Sequence, residues 1–372
     1  MPEQAQLPDP PYVGSRELKQ GQVSVVQVIP CEKNSLQPHA CGLIRPMEID
    51  MTHTKHPVPA FDPELAAALG AIGQELPPTL TPEMIPALRQ MPDDPTLHEQ
   101  IAAVGATHEE RTIEGFEGGE ILVSIFRDPS RSTAGPGIYH IHGGGMITGN
   151  RLMGVAGFLP FIKSHGASIV SVEYRLAPEF PDPVPVEDCY AGLVWTAEHA
   201  EELGIDPARI LVGGASAGGG LSAGVTLLAR DRKGPDLRAS LLIYPMLDDR
   251  NETISAHQID GIGVWDRTSN ETGWTALLGD RRGTDDVSIY AAPARAEDLS
   301  GLPPTFIDVG SAEVFRDENV SYASRIWAAG GDCELHVWPG GFHGFDNFAP
   351  HAWLSAAMVE TRNKWITRML DS

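Results

Sequence analysis

Ile210-Leu211-Val212-Gly213-Gly214-Ala215-Ser216-Ala217-Gly218-Gly219-Gly220 is the stretch that decides the fold. A short apolar run ends in a serine flanked two residues away on each side by glycine, and a small-residue helical pattern follows from Leu221 to Arg230. That order predicts a sharp strand-to-helix turn with Ser216 at its apex, where crowded backbone leaves no room for side chains at positions 214 and 218. A lone GxSxG among 39 glycines is weak evidence, but His142-Gly143-Gly144-Gly145 lies upstream and His343-Gly344-Phe345 comes late in the chain. A phosphate-binding loop is the competing use of such glycines. Ala215 and Thr148 break both possible GxGxxG frames, and no Gly-Lys-Ser/Thr follows, so nucleotide binding is disfavoured.

On either side of this stretch, alternating or continuous apolar runs predict strands at 109–114, 121–127, 137–142, 168–174, 209–213, 239–244, 304–309 and 333–338. Helical patterns fall between the later strands, at about 155–164, 186–201, 217–230, 316–329 and 351–370. This alternation predicts an α/β fold with a mostly parallel sheet covered by helices on both faces. Residues 1–55 are a Pro- and Gln-rich extension of unassigned role, with one β-like stretch from Val23 to Ile29. In 56–105, Asp62 caps a helix with Pro63 at its first position, and Thr81-Pro82 opens another through Leu88. The catalytic domain is expected over 106–372. The connection at about 247–286 is too long for a simple crossover, so it is read with 56–105 as a helical cap.

Serine is a poor nucleophile unless a base takes its proton and a third group holds that base. His343 follows the last predicted strand through Pro339-Gly340-Gly341, a turn that can carry an imidazole over the carboxyl edge of the sheet. For the acid, the segment from Asp308 to Glu318 offers Asp308, Glu313, Asp317 and Glu318. Glu313 is preferred, because Asp308 falls inside a strand while Asp317 and Glu318 read as first-turn helix carboxylates; Asp308 and Asp317 stay open as rivals. The N–H groups of Gly143, Gly144 and Ala217 are placed to hold an oxyanion.

HGGG, Tyr174-Arg175-Leu176-Ala177-Pro178-Glu179, GxSAG, Tyr244-Pro245-Met246-Leu247-Asp248, the 313–318 loop and HGF occur in the order found in the hormone-sensitive-lipase-like branch of the α/β-hydrolases. Over roughly residues 60–370 the chain resembles the bacterial and fungal carboxylesterases of that family. The resemblance implies an α/β-hydrolase fold, a Ser216–Glu313–His343 triad, that oxyanion hole, and pairing into a homodimer through the last strand and helix. It departs from the family in three places: Glu313 stands where aspartate is usual, Ala215 where an acidic residue or threonine is common, and Met146 where an aromatic often follows HGGG. The expected activity is hydrolysis of short- to medium-acyl hydrophobic esters through an acyl-enzyme. A lactonase or amidase using the same triad is the alternative, and so is a non-catalytic small-molecule receptor, although receptors of this family have lost the histidine.

Met146, Tyr244, Leu247, Trp265, Trp274 and Phe345 are candidate pocket walls, whereas Trp195, Trp327 and Trp338 read as core. Tyr174 and Arg175 read as structural, and His53, His56, His98, His108 and His351 as solvent-facing. No cofactor is expected. His140 and His142 share a strand face, but glycines replace the further ligands a metal would need, so His142 is read as a loop-orienting donor. A formal charge of −23 opposes binding to nucleic acid or anionic lipid. No apolar run is long enough to span a bilayer, and the first residues carry no basic-then-apolar signal, so a cytoplasmic address is expected. Cys31, Cys41, Cys189 and Cys333 form no CxxC pair and are expected to be free thiols.

Overall fold

The eight predicted strand segments become eight strands of one sheet in the computed structural model, which describes residues 56–73 and 77–371. They are β1 (Thr107–Glu114), β2 (Glu120–Arg127), β3 (Gly135–Ile141), β4 (Ser168–Glu173), β5 (Ile205–Ala215), β6 (Ala239–Ile243), β7 (Thr305–Gly310) and β8 (Cys333–Trp338). Their order across the sheet is β1-β2-β4-β3-β5-β6-β7-β8. β1 and β2 pair antiparallel, as do β2 and β4, and every later pairing is parallel. Burial explains the two kinds of sequence pattern. β3 is buried at every position because helices cover both faces, whereas β1, at one edge, is mostly exposed and reads as a charged alternation.

The helices are α1 (Pro63–Ile72), α2 (Ile85–Leu88), α3 (Leu97–Ala103), α4 (Pro160–His165), α5 (Val184–Glu198), α6 (Ala200–Leu203), α7 (Ala217–Arg232), α8 (Ile254–Gln258), α9 (Arg267–Leu278), α10 (Arg316–Ala328), α11 (Phe345–Phe348) and α12 (Trp353–Asp371). As expected, the Asp62 side chain caps α1, accepting from the N–H groups of Glu64 and Leu65 at 2.9 and 3.3 Å. The 247–286 connection holds α8 and α9, and it meets the segment before α2. Thr79 Oγ1 donates to Asp266, Leu80 N to Ser269 Oγ at 2.8 Å, and Thr272 Oγ1 to Leu80 O at 2.9 Å. Among the described residues no helix is long and apolar enough to cross a membrane.

Two expectations about burial need correction, one for tryptophans read as core and one for a histidine read as solvent-facing. Trp327 is 47% exposed, because the buried stripe of α10 runs through Asn319, Tyr322, Ala323 and Ile326 and leaves the next position at its margin. Its indole N–H donates to Cys333 O at 2.8 Å across the edge of the helix. Trp195 and Trp338 are only half-buried. His108 is also half-buried rather than solvent-facing: it stacks on Phe126 with ring centres 4.5 Å apart and bonds Ser124. Cys189 and Cys333 are free and buried, and burial pushes both thiols up. Cys31, Cys41, His53 and the whole 1–55 extension lie outside the described residues.

Candidate active site

Ser216 sits between β5 and α7 with φ 59° and ψ −121°, a conformation L-residues rarely adopt and one that stores strain. Three backbone bonds hold it there. Its N–H donates to Ile243 O at 2.9 Å, and its carbonyl accepts from Gly220 N and Met246 N at 3.0 Å each. The flanking glycines are explained by distance. A Cβ at Gly214 would lie 2.2 Å from Ile141 O, and one at Gly218 would lie 2.1 Å from the same oxygen.

His343 follows β8, and its Nε2 lies 3.0 Å from Ser216 Oγ. On the other side its Nδ1 lies 3.4 Å from Glu313 Oε2. This contact is longer than a charge-assisted hydrogen bond, as is common before substrate tightens a site. With the ring proton on Nδ1, facing Glu313, the Ser216 hydroxyl donates to Nε2. Glu313 is fully buried; burial pushes its carboxyl up while His343 pulls it back. Among the described residues it is the one carboxylate within ion-pair distance of His343.

The rival acids are engaged elsewhere. Asp317 accepts from Ser255 N at 2.8 Å, Glu318 caps the N–H groups of Leu247 and Asp248 at 2.7 and 3.2 Å, and Asp308 pairs with Arg362 at 3.0 Å.

Across from the imidazole, Gly143 packs beside the serine: a Cβ there would lie 3.5 Å from Ser216 Cβ. Among the described residues no acceptor takes the N–H of Gly143 or Gly144, and Ala217 opens α7, where helix N–H groups lack internal partners. His142 steadies this loop. Its Nδ1 donates to Gly143 O at 2.8 Å, its ring stacks on Tyr174 at 4.2 Å, and Tyr174 OH donates to His142 O at 3.1 Å. Burial lowers His142 to about 4, so the ring is neutral at neutral pH. Arg175 grips buried Asp188 through Nε and Nη2 at 2.8 Å each and Phe116 O at 2.8 Å, which suits the structural role expected of it. Among the described residues no group of three His, Cys, Asp or Glu side chains is gathered as for a metal ion.

Three of the six candidate pocket walls point elsewhere. Tyr244 (φ 34°) places its ring edge-on to His343, centre to centre 4.9 Å, and donates from OH to Asp346 at 3.0 Å. Leu247 packs with Leu227, Leu242 and Ile307, and Phe345 packs against Phe342, so both belong to the core. Trp265 does lie over the glycine loop, since a Cβ at Gly145 would lie 2.3 Å from its ring. Met146 and Trp274 are buried in the same apolar cluster.

One residue near the site went unread in the sequence. Arg362 bonds Asp308 at 3.1 Å and Asp346 at 3.0 Å, completing a buried network under Tyr244 and so under the imidazole. Its signal was available: it occupies the apolar stripe Leu354, Met358, Trp365, Ile366 of α12, where a charge needs a buried partner.

A profile described as the α/β-hydrolase fold matches residues 138–347. The chain is an α/β-hydrolase of the hormone-sensitive-lipase-like family. Among its relatives, carboxylesterase NlhH of Mycobacterium tuberculosis is 36% identical over 286 residues, covering 70% of this chain and 81% of the relative. Carboxylic ester hydrolase LipN of the same species is 39% identical over 236 residues, 62% of each chain. Among solved structures, a bacterial heroin esterase aligns with TM-score 0.76 at 38% identity, covering 84% of this hydrolase and 99% of that chain. A hyperthermophilic esterase from the archaeon Pyrobaculum calidifontis gives TM-score 0.72 at 28% identity, covering 83% and 99%.

Proposed function

We propose that this α/β-hydrolase is a serine carboxylesterase that cleaves short- to medium-acyl hydrophobic esters through an acyl-enzyme. The carrying observation is the 3.0 Å contact between Ser216 Oγ and His343 Nε2, with buried Glu313 beyond Nδ1. Ser216 attacks the ester carbonyl while its proton passes to Nε2, and Glu313 supports the imidazolium that results. The N–H groups of Gly143, Gly144 and Ala217 hold the negative oxygen of the tetrahedral adduct. His343 then protonates the leaving alcohol. A water then attacks the acyl carbonyl while giving a proton to Nε2, and His343 returns that proton to Ser216 Oγ as the bond to the serine breaks and the acid leaves. The ester-hydrolase names of the relatives support this class of reaction. Trp265 over the glycine loop, with Met146 and Trp274 behind it, supports an uncharged, apolar substrate, and 56–105 with 247–286 would form the cap above it.

The test is turnover of p-nitrophenyl esters from acetate to decanoate by the wild type and by Ser216→Ala. Turnover with an initial burst of nitrophenol, absent in Ser216→Ala, is expected, and the best chain length sizes the acyl site. Undiminished turnover in Ser216→Ala, or no turnover of any ester by folded wild type, would refute the proposal.

A further inference from the structure

The glycine loop beside Ser216 is held in an unusual shape. Gly144, Gly145 and Met146 follow one another at φ 106°, 63° and 63°, and for Met146 this is a costly conformation. Such a turn persists only where its surroundings fix it. One side is fixed by Ile147 N and Thr148 N, which donate to Gly144 O at 3.1 and 3.0 Å. The far side is fixed from a distant part of the chain. Arg89, just after α2, donates from Nε to Ile147 O at 2.8 Å and from Nη2 to Ala177 O at 2.7 Å. Ala177 N in turn donates to Met146 O at 3.0 Å, so the guanidinium spans both strands of backbone that close the turn. Glu179 anchors the guanidinium in a bidentate pair, with both contacts at 2.9 Å.

We infer that Arg89 is a positioning residue: it sets the Gly143 and Gly144 N–H groups for the oxyanion and thereby ties the α2 segment to transition-state binding. This rests on the serine-esterase reading. A planar donor array is needed to span two carbonyls and a carboxylate at once, and lysine cannot reproduce it. A purely scaffolding role is distinguishable, because donors displaced by a fraction of an ångström lose transition-state contact before substrate contact. Arg89 also lines a cleft of about 470 Å³ with Pro82, Ile85, Glu179 and Thr272, through which small solutes can reach its place.

The experiment measures kcat and KM on p-nitrophenyl butyrate, and binding of an alkyl trifluoromethyl ketone, whose Ser216 adduct places an oxyanion in the hole. Wild type, Arg89→Ala, Arg89→Lys, Glu179→Gln and Ser216→Ala are compared. Arg89→Ala is expected to lower kcat by about 10- to 100-fold with KM within about threefold, and to weaken the ketone by the same factor as kcat. Millimolar guanidinium, entering through the cleft, restores part of that loss. Arg89→Lys falls between the two, and Glu179→Gln, which leaves both carbonyl bonds in place, retains most activity. Unchanged kcat in Arg89→Ala, or a rise in KM alone, overturns the inference. If Arg89→Ala does not fold, Arg89→Lys decides: kcat and ketone affinity falling in parallel support the inference, and wild-type values overturn it. Inert wild type or active Ser216→Ala would refute the esterase reading and this inference with it. Active wild type with inert Ser216→Ala and a wild-type-like Arg89→Ala refutes this inference alone.

Discussion

Glu313→Gln keeps the shape of the acid and removes its charge. When Ser216 attacks, His343 becomes an imidazolium with Nδ1 3.4 Å from Glu313 Oε2. At an effective dielectric of about 20, opposite unit charges at that distance attract by about 5 kcal/mol. An amide returns part of this through its carbonyl dipole, so a loss of about 4 kcal/mol, roughly three orders of magnitude, is expected in kcat. KM should barely move, since the charge on His343 exists only in the transition state. Stability should move the other way. Burial raises the Glu313 carboxyl, so its ionised form costs the folded state above its ordinary pKa, and the neutral amide lifts that cost at pH 7. The assay is kcat on p-nitrophenyl butyrate beside urea denaturation at pH 7. A kcat within tenfold of wild type would refute the assignment of Glu313 as the acid, and a large drop in stability would show that the activity loss was structural.

Two further outcomes follow from the geometry. Gly218→Ala puts a Cβ 2.1 Å from Ile141 O and 2.5 Å from His142 O, both rigid backbone; it should cost about 1–3 kcal/mol or more in denaturant unfolding and most of the activity. Gly70→Ala, with nothing within 4 Å, should be neutral or stabilising by up to about 1 kcal/mol, and equal losses at both positions would refute the steric account. Burial lowers His140 to about 3 and His142 to about 4, so both stay neutral when folded while their unfolded counterparts take up protons below about pH 6.5. Each therefore draws stability down as pH falls from about 6.5 toward 4, while the raised carboxyls of Asp308 and Glu318 act oppositely. His140→Asn, which can keep the bond to Ser171, should remove about 1.4 kcal/mol per pH unit from that slope, read by urea unfolding between pH 4.5 and 7. An unchanged slope would refute it.

The fold was legible where local pattern and burial coincide. The strand predicted at 137–142 coincides with β3, buried at every position, and the charged alternation at 109–114 lies in edge strand β1. The glycines at 214 and 218 were legible as turn positions because no side chain fits there. Ser216 was marked by its glycine-flanked turn, His343 by the turn after the last strand and Glu313 by what its rival carboxylates do locally, and the fold brings the three within contact. What escaped depends on which way a side chain faces. Tyr244, next to a strand end, was read as a pocket wall, but its positive φ swings the ring under the imidazole. Trp327 lies one step outside the buried stripe of its helix, a difference that composition does not carry. Arg89 left no local mark because its partners are 58 to 90 residues away.

The network of Asp308, Asp346 and Arg362 has a consequence for biosynthesis. The nucleophile, the acid and the histidine all leave the ribosome before Arg362, which sits on the inner face of α12. Until that helix docks, two buried aspartates lack their cation and Tyr244 lacks the support that keeps its ring against His343. Hydrolytic competence therefore waits until α12 has been made and docked, and a protease that trims the chain ahead of Arg362 would spare every reacting residue and leave the catalyst idle.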